Sequence, residues 1–365
     1  MRITVVGPAH PLKGGVAQHT TVLARELVAR GHEVVIESWR RQYPSRLYPG
    51  QPSVQAPEFE PFEHIRRRLS WNRPDSWWRV GRSARSSDLL VIAHVTPVQV
   101  PAYRTVLAAR AHAVSTVVLA HNVLPHERSL LDRSMVRNLF QAADRVVTHS
   151  EAEGNLARSL TSTPVAVTAM APHMPDGFRP SRPLPGVHHR LLFFGLVRPY
   201  KGLDVALRAL AAGPKNVVFR VAGEFWEGLA DTEQLIQSLG LTGRVELRPQ
   251  YVPAKDVAAL FADVDALVLP YRNATGSQGV WIGFQFGVPV IATAGPLARH
   301  ITAGIDGLLA EPDDPSSLAQ AFIDFYGPGT PERLRSAVRP VDPGPYWDRY
   351  LRVLTGLPAA PDGSD

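Results

Sequence analysis

Short apolar runs that read as strands alternate with segments of helical period along almost the whole chain, and this alternation restricts the fold more than any other feature. Strands separated by helices return parallel to one another, with the helices covering both faces of the sheet. In the first half the strand runs are Ile3 to Val6, Val34 to Trp39, Leu89 to Ala93, Thr116 to Ala120 and Arg145 to Thr148. Helices fit at Val16 to Arg30, closed by Gly31, and at Val98 to Ala111 and Glu151 to Leu160. After the proline-rich segment Ala171 to Pro185 the alternation begins again. Its strands are Leu191 to Phe194, Val217 to Ala222, Val245 to Leu247, Ala266 to Pro270 and Val290 to Ala292, with helices at Leu203 to Leu210, Thr232 to Leu239 and Asp256 to Asp263.

The expected fold class is therefore α/β, with two Rossmann-like doubly wound domains, residues 1–173 and 174–345. Met174 to Pro185 reads as the linker between them. A ligand is expected at the carboxyl ends of the strands, in a central cleft. Residues 346–365 carry a last amphipathic helix, Tyr346 to Leu354, expected to pack back on the first domain, and then a frayed tail.

A length of 365 residues fits two domains, and 45% apolar with 20% charged residues is a globular composition. Zero cysteines exclude disulfides and thiol chemistry. No apolar run approaches the roughly 18 to 20 residues of a membrane span, and the opening run ending at Val6 is too short for a signal peptide, so a cytoplasmic protein is expected. The net charge of +6 favours phosphate-bearing partners without choosing among nucleotide, nucleic acid and anionic lipid. Nucleic acid is not expected, because no recognised module for it is present.

Four places join a strand end to chemistry-bearing residues. Gly14-Gly15-Val16 lies between the first strand and its helix, where glycines let backbone amides approach a phosphate, though a plain tight turn looks the same. In the second domain Arg198 and Lys201 emerge together before a helix, placed either to neutralise a diphosphate or to form a solvated basic turn. The loop after Pro270 runs through Ser277 to Gly279 and Val280, whose amides and hydroxyl suit a phosphate or simply cap a helix. His121 ends a strand of the first domain, with His126-Glu127 shortly after; a lone histidine there is more often structural than catalytic.

In this order and at these positions the four places resemble the glycosyltransferases of family four, which have the GT-B fold. The resemblance covers nearly the whole chain and is sharpest at Gly14-Gly15-Val16, at Arg198-x-x-Lys201-Gly202, and from Ala262 to Pro270 through to Gly287-Val288-Pro289. It implies a retaining transferase that needs no metal or other cofactor and takes a nucleotide-sugar as donor substrate. Arg198 and Lys201 would hold the donor diphosphate, aided by Gly14, Gly15, Ser277, Gly279 and Val280, and His121 would position donor or acceptor near the transferred sugar. His121, Arg198 and Lys201 are thus the expected catalytic set. The sequence departs from the family at two positions: Ala274 and Ile282 stand where many members have glutamates that hold the sugar ring and the ribose.

Asp263-Val264-Asp265 has the Asp-x-Asp pattern of metal-dependent transferases, but its place between a helix and an apolar strand favours ordinary capping, and no metal is expected. The Glu311-Pro312-Asp313-Asp314 stretch reads as a loop before a helix near Ser316. On the acceptor side, Arg66, Arg67 and Arg68 are interleaved with Trp71, Trp77 and Trp78. Such a segment suits peripheral contact with the anionic inner face of a membrane and a lipid-linked or glycan acceptor; a tryptophan core under solvated arginines suits it equally. A non-catalytic GT-B-fold partner protein is the alternative reading, with a sugar-nucleotide epimerase and an NAD-dependent oxidoreductase further behind.

Overall fold

The computed structural model describes residues 1–44, 53, 62–124, 131–174, 178–225, 227–272, 278–295 and 297–356. The chain divides into two compact units, Met1–His173 together with Pro343–Asp365, and Met174–Asp342.

The first unit holds strands β1 (Arg2–Val6), β2 (Glu33–Arg41), β3 (Ile65–Ser70), β4 (Leu89–His94), β5 (Ser115–Ala120), β6 (Arg145–Thr148) and β7 (Val165–Val167). They form one parallel sheet in the order β3-β2-β1-β4-β5-β6-β7. Val5 lies in register with Ile36 on one side and Val91 on the other, and β4 is buried at all six positions, as a central strand covered on both faces must be. Helices α1 (Gly15–Ala29), α2 (Pro74–Ser83), α3 (Val100–Ala109), α4 (Asp132–Phe140) and α5 (Glu151–Arg158) cross over between strands. Ser150 caps α5 by accepting from the Glu153 amide, while the Glu153 carboxylate accepts from the Val123 amide at 2.6 Å, tying the helix start to the loop after β5.

The second unit holds β8 (Arg190–Phe194), β9 (Val218–Ala222), β10 (Val245–Arg248), β11 (Ala266–Leu269), β12 (Val290–Thr293) and β13 (Gly307–Ala310), parallel in the order β10-β9-β8-β11-β12-β13. Its helices are α6 (Leu203–Ala212), α7 (Leu229–Ser238), α8 (Ala254–Ala262), α9 (Gly279–Gln285), α10 (Pro315–Phe325) and α11 (Thr330–Ala337). Asp314 caps α10 through the amides of Ser316 and Ser317, so that part of the acidic stretch is a helix start.

The last helix, α12 (Gly344–Thr355), returns to the first unit. Trp347, Tyr350, Leu351 and Leu354 join the apolar cluster on one face of its sheet, and the Trp347 indole donates to the Pro172 carbonyl at 3.2 Å. Burial of this kind contributes about 1.5–3 kcal/mol for each large side chain.

The segment after Met174 is held by the second unit: the Leu184 amide donates to the Ala262 carbonyl, and Phe178 packs against Phe194 and Phe286. The arginine run at 66–68 is an edge strand, β3, where three consecutive charges hide a strand whose buried residues are only Leu69 and Ser70.

Candidate active site

In the second unit the strand order reverses between β8 and β11, the kind of place where open α/β sheets bind ligands. After β8 the chain reaches Arg198, makes one tight turn over Pro199–Lys201, and enters α6 through Gly202. Gly202 has φ 67°, and a Cβ there would lie 2.0 Å from the Pro270 carbonyl oxygen at the end of β11. Only glycine lets the two loops seat against each other. After β11 come Tyr271 and Arg272; the Arg272 amide donates to the Tyr200 carbonyl at 2.8 Å. The Tyr271 carbonyl accepts from the Thr293 hydroxyl at 2.6 Å, which fixes the backbone beneath the ring.

The Lys201 ammonium lies 5.6 Å from the centre of the Tyr271 ring. Desolvation lowers its pKa, with Tyr200 opposing the shift and the positive charge of Arg198 adding to it. No carboxylate among the described residues pairs with it. A cation held in low dielectric without a counter-charge is a binding group for an anion.

Gly279 and Val280 form the first turn of α9, to which the Gln278 side chain gives no cap. The Val280 side chain is fully buried in the core, so only its backbone is available to a ligand. Ile282 also packs into that core and is 8% exposed. Ser277 and Ala274 lie outside the described residues, as do His126 and Glu127.

The two aspartates of the Asp-x-Asp pattern are occupied by arginines. Asp263 pairs with Arg190 and with Arg220, the latter at 2.6 Å. Asp265, fully buried, accepts from the backbone amides of His188 and Arg190 at 2.9 Å and pairs with Arg335 at 3.2 Å. Among the described residues no group of histidine, aspartate and glutamate is arranged to hold a metal ion.

In the first unit the order reverses between β1 and β4. Gly14 precedes α1 at φ 108°, a conformation that favours glycine, and no side chain caps the helix. The amides at Gly14 and Gly15 therefore lie at an uncapped helix start beyond β1.

His121 follows β5 and is 6% exposed. Its ring centre lies 4.9 Å from that of His19 on α1 and 4.9 Å from that of His149, which follows β6. His173 lies 5.5 Å from His19, and Trp347 and Tyr350 of α12 close the group. Burial lowers the pKa of all four histidines, to about 4 for His149 and His173 and well below the ordinary value for His19 and His121, with neighbouring histidines adding to the effect on His121. His121 is therefore neutral near pH 7, with one ring nitrogen a donor and the other an acceptor, and neither has a partner among the described residues.

Sequence reasoning had singled out His121 but not His19, His149 or His173. A signal existed: three adjacent strand runs, ending at Ala93, Ala120 and Thr148, are each followed at once by histidine. Arg272, missed in the same way, is taken up below.

The arginine and tryptophan segment divides into inward and outward parts. Arg68 pairs with Glu37, a buried carboxylate 1% exposed, and Arg66 lies 3.7 Å from the same group. Arg67 donates to the His10 carbonyl. Trp77 packs against the core and donates to the Ser70 carbonyl at 2.7 Å. Trp71 and Trp78 remain outward, 41% and 45% exposed.

Residues 13–169 match the family described as Glycosyltransferase Family 4, and residues 188–327 match Glycosyl transferases group 1. The chain belongs to glycosyltransferase family 4. A curated relative is the D-inositol 3-phosphate glycosyltransferase of Streptomyces scabiei, 30% identical over 224 residues, which are 54% of this chain and 50% of that one. The match thus spans about half the length of such relatives. Solved structures of similar fold include sucrose-phosphate synthase from Thermosynechococcus elongatus, at 16% identity and TM-score 0.71 over 98% of this chain and 100% of that one. Anabaena HepE in complex with UDP and glucose aligns at 15% identity and TM-score 0.72, with the same coverage. At these identities the likeness is one of fold, here GT-B.

Proposed function

We propose that this family-4 protein is a retaining, metal-independent glycosyltransferase that moves a sugar from a nucleotide-sugar donor to a hydroxyl of a glycan or lipid-linked acceptor. The observation that carries the reading is the uncompensated Lys201 ammonium beside Arg198 at the β8/β11 reversal. As the bond between sugar and diphosphate breaks, negative charge grows on the departing phosphate, and a preorganised cation pair there stabilises the transition state more than the ground state. These two residues take the part a divalent ion plays elsewhere, which agrees with Asp263 and Asp265 being committed to arginines. His121, neutral and short of partners, offers a hydrogen bond to a sugar hydroxyl, a positioning role and not that of a nucleophile. The similarity to a glycosyltransferase and to a protein solved with UDP and glucose supports the enzyme reading and the donor class. Binding of nucleoside diphosphates, followed by thermal shift in the presence of EDTA, tests the proposal.

We also propose that the protein works in the cytoplasm, resting on the inner face of the membrane through Trp71 and Trp78, with Arg66 and Arg67 beside them. No described helix is long and apolar enough to cross a membrane, so the contact would be peripheral. Trp77, packed against the core, drops out of that surface, whereas Arg68, although paired with Glu37, is still 40% exposed. Sedimentation with phosphatidylglycerol vesicles should fall when Trp71 and Trp78 are both changed to serine; equal sedimentation of the double variant would refute the contact.

A further inference from the structure

Arg272 stands one residue from Tyr271 and beside the Arg198–Lys201 turn, so a third phosphate-binding cation is the obvious reading. Its bonding says otherwise. One terminal nitrogen donates to Asp204 Oδ1 at 2.8 Å and to the Pro199 carbonyl at 2.9 Å, the other donates to Asp204 Oδ2 at 2.8 Å, and Nε donates to Asp313 Oδ1 at 2.7 Å. Two carboxylates thus balance its charge and occupy its fork. Its backbone amide holds the Tyr200 carbonyl as well. The grip joins the loop after β11, where Arg272 stands, to the loop after β8, to the first turn of α6 and to the loop after β13, and it spans the reversal between β8 and β11.

The partners are partly exposed, with Arg272 at 30%, Asp204 at 38% and Asp313 at 64%. Ion pairs in that setting contribute little to global stability. A planar fork that uses both edges has its main effect on geometry. The element it fixes is the one tight turn on which Arg198 and Lys201 stand. There is a second consequence: Asp204 lies three positions beyond Lys201, and its capture by Arg272, with Arg208 on Oδ2 at 2.8 Å, keeps that carboxylate away from the lysine charge.

We infer that Arg272 is a positioning residue that pins the Arg198–Lys201 turn for the donor diphosphate and holds Asp204 out of it. This rests on the assignment of the diphosphate to that turn. The test measures Kd for UDP and for inorganic pyrophosphate, together with melting temperature, in the full chain and in Arg272→Ala, Arg272→Lys, Asp313→Asn and Lys201→Ala. Arg272→Ala and Arg272→Lys should both weaken the binding about tenfold to a hundredfold, the scale set by misplacing a binding group by about 1 Å. Asp313→Asn, which loses one arm at an exposed site, should weaken it less and in the same direction. Melting temperatures should stay within a few degrees of the parent.

Normal binding by Arg272→Lys with weak binding by Arg272→Ala would make Arg272 a mere cation and overturn the inference. Normal binding by both, with Lys201→Ala impaired, would overturn it and leave the diphosphate assignment standing. Normal binding by all four variants would remove that assignment and this inference together. Should Arg272→Ala fail to fold, Arg272→Lys and Asp313→Asn carry the comparison.

Discussion

Lys201 and Arg272 are cations in touching loops, and their surroundings give them opposite tasks. Two aspartates neutralise Arg272, whereas Lys201 has an aromatic ring on one side, a second cation nearby and, among the described residues, no carboxylate paired with it. Replacing Lys201 or Arg198 by alanine should each cost on the order of 3 kcal/mol in transition-state stabilisation, the loss seen when one preorganised charge-stabilising group is removed. The check is kcat/KM for sugar transfer, and near-parental values in both variants would put the diphosphate elsewhere. This pair was legible in the sequence because a strand, a turn and a helix start fix where residues 198 and 201 must emerge. The role of Arg272 was not, because no pattern in a sequence says which of three nearby cations a carboxylate will claim. Ile282 stands where the family resemblance leads one to expect a glutamate, and the structure packs it into the core.

Strand ends are the elements that bear the chemistry, and in the first unit three neighbouring ones carry buried histidines. His94 is the last residue of β4, while His121 and His149 follow β5 and β6; His19 faces them from α1, and His173, Trp347 and Tyr350 complete the group. Arg25 is the nearby fixed charge, acting on His173. All these histidines have folded-state pKa values below the unfolded value of about 6.5, with His94, His149 and His173 at about 4, so the folded state prefers them neutral. Their contribution is fully present above pH 6.5 and is lost progressively as pH falls toward 4, because the unfolded chain then binds more protons. Urea midpoints measured from pH 7.5 to 4.5 should fall steeply below pH 6.5, and a flat profile would contradict the buried neutral cluster. Most elements were legible to within two residues because apolar periodicity survives parallel pairing. The edge strand β3 was not, since Arg66, Arg67 and Arg68 erase the alternation and only their pairing with the sheet and with Glu37 shows what they do.

Across the whole molecule, the repeated alternation of strand and helix foretold two parallel sheets, and the structure returns two, one of seven strands and one of six. What the sequence could not carry is what distinguishes relatives of one fold: the donor base, the sugar and the acceptor depend on side chains arranged by loops, several of which lie in the least patterned parts of the chain. The central claim is that a nucleoside diphosphate binds at the Arg198–Lys201 turn without a metal. The most direct test is thermal shift of the full chain and of Lys201→Ala against UDP, GDP, ADP and TDP, with EDTA present. One nucleotide should raise the melting temperature of the parent, unaffected by the chelator, and the rise should be largely lost in Lys201→Ala. No shift with any of the four, or an equal shift in the variant, would contradict the account.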